Sequence, residues 1–273
     1  MRLLIFGPGY TASHLIARLA DRAVIATVTR ETFEDRSRTG FEIVTATHIL
    51  STVPPGEEDP VLAAYKDEIA YSGAWIGYLS STGVYGDTGG AWVDETAPTG
   101  TGRRTARSAA DAAWLALPGA RVFRLPGIYG PGRSPLDRIR AGAATRIDLP
   151  GQVFSRVHVD DIVSGVVAGF DGPPGAYNLA DDLPAPQSDV IAYGCTLLGL
   201  PVPPLLALEE ANLGPKARAF YAENRRIANG KAKRVLGWRP LYADYRLGLR
   251  ALSATTSPAT TSTAPPAAST DQR

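Results

Sequence analysis

Residues 3–12 read Leu-Leu-Ile-Phe-Gly-Pro-Gly-Tyr-Thr-Ala, and they carry the main signal for the architecture. Four apolar residues bounded by glycine are typical of a buried parallel strand. A G-x-G-x-x-A turn follows, and apolar residues at helical spacing continue to residue 21. In such a turn the first glycine permits the tight bend, and the second lets the backbone approach a pyrophosphate. The motif predicts dinucleotide binding at Gly7, Gly9, Tyr10, Thr11 and Ala12; the alternative is a strand-to-helix turn that merely holds two glycines.

Strands and helices alternate along the first half of the chain. Apolar runs predict strands at Leu3–Phe6, Ala23–Val28, Phe41–Val44, His48–Val53, Trp75–Leu79 and Arg121–Leu125. Helices are expected at residues 11–21, Val61–Tyr71 and Ser108–Leu117. This alternation predicts an α/β fold, a Rossmann-like doubly wound parallel sheet with a small C-terminal substrate lobe.

The composition suggests how the chain divides. We expect a dinucleotide-binding domain over residues 1–130, with later segments interleaved, and a smaller substrate-binding lobe over 131–250. The proline content and scattered helices of the second half favour this division. From Ser253 onward Ser, Thr, Ala and Pro dominate, so residues 251–273 are predicted to form a disordered tail.

The charge, hydropathy and cysteine content of the chain indicate which partners and which cellular compartment to expect. The net charge is +1, which favours neither nucleic acid nor a membrane surface as partner. No run of about 18 apolar residues occurs, and the first apolar run is too short for a secretory signal. The single cysteine, Cys195, excludes an intramolecular disulfide and a cysteine metal cluster. We expect a cytoplasmic protein with a small-molecule substrate and no metal, either monomeric or homodimeric.

The end of the second strand bears on the choice of cofactor. An acidic residue there would bind the ribose 2′-hydroxyl of NAD, whereas this chain has Arg30, which suits the 2′-phosphate of NADP. Glu31 follows directly and weakens the argument, and a solvated surface arginine is the alternative. The sequence favours NADP(H), with NAD(H) possible.

Several later segments resemble the extended short-chain dehydrogenase/reductase family, the NAD(P)-dependent epimerase/dehydratase group. These segments are Ser80-Ser81-Thr82-Gly83-Val84-Tyr85-Gly86, residues 124–132 (Arg-Leu-Pro-Gly-Ile-Tyr-Gly-Pro-Gly), residues 155–162 (Ser-Arg-Val-His-Val-Asp-Asp-Ile) and residues 233–240 (Lys-Arg-Val-Leu-Gly-Trp-Arg-Pro). With the glycine turn they follow family order from residue 3 to 240. The resemblance implies cofactor contacts at Pro126 and Gly127 and substrate contacts at Tyr129 and Arg156.

The resemblance also implies a catalytic serine and a Y-x-x-x-K pair. Ser81 takes the serine place, but Arg103 and Arg107 stand where the tyrosine and the lysine are expected. No tyrosine lies between residues 85 and 129, and no lysine between residues 66 and 216. Arginine does not trade protons near neutrality, although it can stabilise an oxyanion or bind ribose and phosphate. The acid or base could instead be Tyr85, Tyr129, a substrate group or a water held by Ser81.

A further departure marks this chain as atypical. The stretch from Arg30 to His48 is short for the usual helix and strand, so the third strand is expected to be shortened or lost, with part of the adenine pocket. At Arg156 the alternative to a ligand contact is structural, with Asp160 or Asp161 capping a helix that begins at Ile162.

These observations lead to two functional hypotheses. The first is an NADP(H)-binding oxidoreductase or epimerase that acts on a small carbonyl or hydroxyl substrate through a non-standard site. The second is a non-catalytic NADP(H)-binding sensor or regulatory protein, which the missing tyrosine and lysine favour.

Overall fold

The computed structural model describes residues 1–103, 105–211 and 213–255. Its strands, in chain order, are β1 (Arg2–Phe6), β2 (Val24–Val28), β3 (His48–Ser51), β4 (Trp75–Ser81), β5 (Trp92–Val93), β6 (Ala120–Leu125), β7 (Gly127–Tyr129), β8 (Arg146–Ile147), β9 (Arg156–His158), β10 (Gly175–Asn178), β11 (Leu205–Leu206) and β12 (Arg226–Ile227). Its helices are α1 (Tyr10–Leu19), α2 (Arg36–Thr45), α3 (Pro60–Tyr71), α4 (Thr105–Leu115), α5 (Pro135–Arg140), α6 (Val159–Ala168), α7 (Gln187–Leu198), α8 (Pro215–Arg218), α9 (Gly230–Val235) and α10 (Tyr245–Thr255). Short 3-10 helices lie at Thr82–Tyr85 and Ala219–Ala222.

A six-stranded parallel sheet forms the centre of the molecule. Its strand order is β10-β6-β4-β3-β1-β2, so a strand from the second half of the chain joins one edge. Alternate residues of β1 face opposite sides, because successive side chains of a strand do so. Leu3 and Ile5 pack with α1 and α6, whereas Leu4 and Phe6 pack with α2, α3 and α4. Helices therefore cover both faces, and the predicted doubly wound α/β fold is confirmed.

The edge beside β2 confirms the predicted loss of a strand. In the common order of dinucleotide-binding sheets, a third strand lies outside the second. Here β2 is the edge strand of the sheet throughout the described residues, and the chain crosses directly through α2 to β3. The connection is long enough for a ten-residue helix but not for a strand as well.

The predicted strand at Phe41–Val44 is wrong, because these residues lie in α2. Within the helix Ile43 is fully buried, whereas Phe41 and Val44 are 61% and 73% exposed. A run of apolar residues this short fits either period, and the helix is chosen because it buries Ile43 against the sheet.

Residues 251–255, the start of the predicted tail, lie in α10. Leu249 and Leu252 of this helix are buried in a cluster with α5 and α7. The rest of the predicted disordered tail, residues 256–273, lies outside the described residues.

Three short parallel strand pairs involve the second half of the chain, and two of them connect it to the first half. β12 pairs with β5, and β7 pairs with β9, while β8 pairs with β11. The first two pairings place segments around residues 154 and 226 beside the carboxyl ends of the central strands. They bring the later segments to the edge of the sheet where the candidate site lies.

Candidate functional site

A cleft of about 890 Å³ opens at the carboxyl ends of the central strands. Residues that follow β1, β3 and β6 line it, namely Gly9, Thr52 and Pro126, and so does Ser81, the last residue of β4. The chain leaves β1 towards β2 on one side and returns to β3 on the other, so the direction of strand order reverses here. Ligands of open α/β sheets bind in the crevice at such a point.

The glycine turn has the geometry that its sequence predicts. Gly7 adopts φ +77°, a left-handed conformation that favours glycine, and its amide donates a 2.9 Å hydrogen bond to the Val28 carbonyl. The Thr52 hydroxyl donates to the Gly7 carbonyl, which fixes the turn from the side of β3. The end of β2 and the loop after β3 thereby hold the turn in place.

The second glycine leaves room for a ligand. A Cβ atom on Gly9 would approach only the Gly7 carbonyl oxygen, at 4.0 Å, and Gly9 lines the cleft. α1 begins at the next residue with no side-chain cap and no acidic residue in its first turn. The first amides of a helix lack partners within the helix, so this end presents donors to an anion.

Ser81 lies at the carboxyl end of β4. Its Oγ accepts a 3.1 Å hydrogen bond from the Gly83 amide, which caps the 3-10 helix at Thr82–Tyr85. A hydroxyl that accepts in this way still has its proton to donate, and Ser81 lines the cleft. The serine is therefore oriented by the backbone and can donate to a ligand oxygen.

A buried polar network lies beneath this serine. The preceding residue, Ser80, donates a 2.6 Å hydrogen bond to Asp111, which also receives two hydrogen bonds from Arg124 at 2.7 and 3.1 Å. Arg124 donates in addition to the hydroxyl of Tyr85, at 3.0 Å. These groups tie β4, β6, α4 and the 3-10 helix together at the floor of the site.

Arg107 lines the cleft from α4, where the resemblance places a lysine. Its Nη1 donates a 2.7 Å hydrogen bond to the Tyr78 hydroxyl. Burial raises the pKa of Tyr78 to about 12, although the Arg107 charge opposes this rise. The phenol therefore stays neutral near pH 7, and the arginine carries the charge.

Arg103 also lines the cleft and is bonded to a carboxylate from the second half of the chain. Its amide and its Nε donate to Glu223 Oε1 at 3.1 and 3.2 Å, and Arg225 donates to Oε2 at 2.9 Å. Burial raises the pKa of Glu223, but the hydrogen bonds from Arg103 and Arg225 outweigh it and lower this pKa below its usual value. Glu223 is thus an anion that positions two arginines.

The structure brings most of the predicted site residues together. Those that line the cleft are Gly9, Tyr10, Thr11, Ser81, Arg103, Arg107, Pro126, Gly127 and Arg156. Those that do not are Gly7, Ala12, Arg30, Tyr85 and Tyr129. Gly7 and Ala12 instead shape the turn and its packing, since Gly7 makes the bend and Ala12 is buried against the sheet. Arg30 is exposed, two residues beyond the end of β2.

The two candidate tyrosines lie in the core rather than in the cleft. The Tyr85 hydroxyl donates to Asn178 at 2.8 Å, within the buried network. The Tyr129 hydroxyl points at α10, where a Cβ atom on Gly248 would lie 2.1 Å from it. Neither phenol is placed to exchange a proton with a ligand in the cleft, which corrects the expected roles of both.

Arg156 reaches the cleft from β9 but is only 6% exposed. The predicted capping of a helix at Ile162 is wrong, because α6 begins at Val159 and His158 caps it by accepting from the Asp160 amide. Asp161 instead accepts hydrogen bonds from the Leu241 and Tyr242 amides, which fasten the segment before α10.

Sequence reasoning missed several residues of the cleft, namely Arg133, Arg138, Gln187, Tyr221, Glu223 and Arg225. The guanidinium of Arg133 lies 5.6 Å from the Tyr10 ring centroid, beside the glycine turn. Arg133 directly follows the Tyr-Gly-Pro-Gly segment, which is a signal for its place. The others lie on segments whose positions depend on the tertiary fold.

The described residues were searched for membrane-spanning helices and for groups of metal-binding side chains. No helix in this part of the chain combines the length and apolarity needed to cross a membrane. Within the same residues, no group of three or more His, Cys, Asp or Glu side chains is arranged to hold a metal ion.

The chain was compared with protein-family models and with curated proteins. No family model matches the chain. A 3-diazoavenalumate denitrifying reductase from Streptomyces sp is 31% identical over 140 residues, which are 47% of this chain and 45% of that protein. The match thus spans about half the length of this curated relative.

Solved structures match over nearly the whole chain. A conserved protein of unknown function from Silicibacter pomeroyi DSS is 43% identical, with a TM-score of 0.83, and the match covers 93% of this chain and 98% of that one. The human epimerase family protein SDR39U1, solved with NADPH, is 17% identical, with a TM-score of 0.77 over 94% and 100% of the two chains.

The sheet, the glycine turn and the cleft give this chain the extended short-chain dehydrogenase/reductase-like fold that SDR39U1 and a dTDP-glucose 4,6-dehydratase share. Within that class, the chain belongs to the same family as the Silicibacter pomeroyi protein. The resemblance inferred from the sequence motifs is confirmed.

Proposed function

We propose that this protein binds NADP(H) in the cleft and uses it in an oxidoreductase or epimerase reaction on a small carbonyl or hydroxyl compound. The observation that carries the proposal is one cleft that joins the glycine turn at Gly9 to Ser81 and to the second half of the chain. Cofactor and substrate can therefore meet at the carboxyl ends of the strands.

The residues present fit a dinucleotide. The open side of Gly9 and the uncapped start of α1 suit a pyrophosphate, and Arg133 adds a positive charge beside them. The structural relative SDR39U1 was solved with NADPH, and a dTDP-glucose 4,6-dehydratase of the same fold was solved with NAD. Both support a nicotinamide dinucleotide as the cofactor of this chain.

Arg30 supports NADP(H) over NAD(H). The hydrogen bond from Gly7 to Val28 holds the end of β2 against the turn, and Arg30 follows two residues later. An arginine near the adenine ribose favours a 2′-phosphate through charge-assisted hydrogen bonds. The strand lost beyond β2 leaves this end of the site open to solvent, so Arg30 has room to reach a phosphate.

The nicotinamide ring supplies or accepts a hydride when it is bound. Ser81 would donate its hydroxyl proton as a hydrogen bond to the substrate oxygen, and Arg107 and Arg103 would stabilise negative charge that develops there. Arginine keeps its proton near neutrality, so a reduction would take its proton from water or from the substrate. The Streptomyces relative is by name a reductase, which supports the redox form of the proposal.

The first experiment is a titration of the purified protein with NADPH and with NADH, followed by cofactor fluorescence and thermal shift. A cofactor at a hundred times its Kd adds about 2.7 kcal/mol to the free energy of unfolding. We expect NADPH to bind more tightly, and Arg30→Ala to weaken NADPH at least tenfold without changing NADH. Arg38→Ala, at an exposed position of α2, is the charge-matched control. If neither cofactor binds, the proposal is wrong.

A non-catalytic NADP(H) sensor is the second candidate, because the hydroxyls of Tyr85 and Tyr129 are buried away from the cleft. A screen of carbonyl compounds for NADPH oxidation separates the two. Turnover that Ser81→Ala abolishes, with unchanged cofactor affinity, supports an enzyme. Tight NADPH binding with no turnover by the unmodified protein supports the sensor.

A further inference from the structure

One part of the cleft is lined by residues from the second half of the chain and combines two arginines with apolar and aromatic side chains. We call it the distal pocket and define it by Arg138, Ile147, Phe154, Arg156, Ile191 and Tyr221, which all line the cleft. These residues come from α5, β8, α7, the segment around β9 and the 3-10 helix at Ala219–Ala222. The glycine turn and Ser81 belong to other parts of the cleft, whereas Arg156 is the strand partner of Gly127, so the distal pocket adjoins the cofactor contact predicted at Gly127.

Arg156 is a buried cation that faces this pocket. Its Nη1 donates to the carbonyls of Phe154 and Ala185 at 2.7 and 3.0 Å, and its Nη2 donates to Gln187 Oε1 at 3.0 Å. These partners are neutral, and no carboxylate of the described chain lies within 4.0 Å of the guanidinium. A guanidinium has five N–H donors, so this one retains donors for a ligand.

Asp181 is the acid whose charge acts most strongly on Arg156, but it does not neutralise that cation. Burial lowers the pKa of Arg156, and Asp181 opposes this. Burial also raises the pKa of Asp181 to about 8, so this carboxyl is largely protonated at pH 7. A buried charge without a counter-ion is costly, which favours an anion in the pocket.

A second cation acts at the same place. Arg138 donates to the Ala143 carbonyl at 3.2 Å, and within the described residues it forms no ion pair. Burial raises the pKa of Tyr221, and the charges of Arg138 and Arg156 both lower it, so both cations act on one hydroxyl. Both arginines line the same cleft as Tyr221 and lie within electrostatic reach of its hydroxyl.

The rest of the distal pocket is apolar and aromatic. The rings of Phe154 and Tyr221 meet edge to face, with centroids 5.4 Å apart and an interplanar angle of 89°. Ile147 and Ile191 are buried beside them. A sugar would need many neutral hydrogen-bonding groups, whereas the six residues that define the distal pocket offer only the Tyr221 hydroxyl.

We propose that the distal pocket binds an aromatic carboxylate, with its ring against Phe154 and Tyr221 and its carboxylate at Arg138 and Arg156. This rests on the proposed function, because it names the substrate class of that site. A cleft of about 890 Å³ that also holds a dinucleotide favours such a small second molecule over a nucleotide sugar.

Calorimetric titration with cinnamate tests the proposal, with cinnamamide as the neutral analogue and UDP-glucose as the competing class. Each is titrated with and without saturating NADPH, so that ligand and cofactor binding are read separately. We expect cinnamate to bind at least tenfold more tightly than cinnamamide, and UDP-glucose to bind more weakly than either.

Arg138→Gln should weaken cinnamate about tenfold and leave cinnamamide unchanged, because a hydrogen bond to a charged group is lost. Arg140→Gln, on the same helix but outside the cleft lining, is the matched control and should change neither. Phe154→Leu should weaken both ligands.

Equal affinity for cinnamate and cinnamamide, or no binding of cinnamate in either state, would overturn the proposal. Preferred binding of UDP-glucose would do the same. If NADPH binds while cinnamate does not, only this inference fails. If cinnamate binds while NADPH does not, the aromatic carboxylate site stands and the proposed cofactor fails.

Discussion

Arg107 and Tyr78 are joined by a 2.7 Å hydrogen bond from the guanidinium Nη1 to the phenol oxygen, which anchors a cation of the cleft to the core. Tyr78 is completely buried on β4, and its ring stacks on Trp114 at a centroid distance of 5.2 Å. The position of the Arg107 charge therefore depends on the packing between β4 and α4.

Tyr78→Phe should weaken NADPH binding while leaving the fold intact. The stacked ring is kept and only the hydroxyl is lost, so we expect a Kd about 2- to 10-fold higher, as for the loss of one hydrogen bond. Tyr65→Phe is the control, because it removes another buried hydroxyl, bonded to the Phe33 carbonyl, away from Arg107. Equal effects of the two substitutions on cofactor fluorescence titrations would contradict a specific role for Tyr78.

Gly9→Ala should impair cofactor binding far more than folding. The added methyl meets no protein atom closer than 4.0 Å but projects beside the proposed pyrophosphate site. We expect the Kd of NADPH to rise at least tenfold, and the free energy of unfolding to fall by about 1 kcal/mol or less, as at other helix N-caps.

Gly40→Ala is the matched control for that substitution. A Cβ atom there also meets open space, but the residue lies inside α2. It should stabilise the protein by about 0.5–1 kcal/mol and leave NADPH binding unchanged. Unaltered NADPH affinity in Gly9→Ala would argue against the turn as the phosphate site.

Asp111→Ala should strongly destabilise the protein. Arg124 is 3% exposed, and this substitution removes the carboxylate that receives two of its hydrogen bonds. Breaking a buried ion pair on one side costs about 3–5 kcal/mol, which urea unfolding measures. Lys233→Ala, which breaks an exposed pair with Asp182, should cost less than about 1 kcal/mol. Similar losses in the two variants would contradict this account of the network.

Asp181→Asn should change how stability depends on pH. Burial raises the pKa of Asp181 to about 8, although Arg156 and the Leu183 amide lower it, whereas an unfolded aspartate has a pKa of about 3.9. Between these values the folded protein holds a proton that the unfolded chain lacks, so this group's contribution to stability falls as pH rises.

Asparagine resembles the protonated acid, so the advantage of Asp181→Asn should grow from near zero below pH 4 to its maximum above pH 8. We expect a maximum of several kcal/mol, because each unit by which the pKa is raised corresponds to about 1.4 kcal/mol. Thermal unfolding across this range measures it, with Asp67→Asn at an exposed position of α3 as the control. A constant difference between variant and parent at every pH would refute the assigned cause.

Much of the fold can be predicted because its signals are local. The apolar run of β1 and the two glycines that follow it specify a strand, a turn and a helix within twenty residues, and the structure has them within one or two residues of the predicted bounds. The lost strand can also be predicted, because 17 residues between Arg30 and His48 cannot hold a helix and a strand with their connections. The segment at Phe41–Val44 was predicted wrongly, because a short apolar run has no distinct period.

The parallel sheet, the glycine turn and the place of Ser81 at the end of a strand can be read from the amino-acid sequence, because each depends on neighbouring residues. The folded chain was needed to show that the Tyr85 and Tyr129 hydroxyls face the core, and that Arg138, Tyr221 and Glu223 line the same cleft as Gly9. The directions of those side chains follow from β7, β9 and β12 pairing across the chain and from α10 packing on Tyr129. Contacts between residues so far apart in sequence have no local pattern, and only the packed chain fixes them.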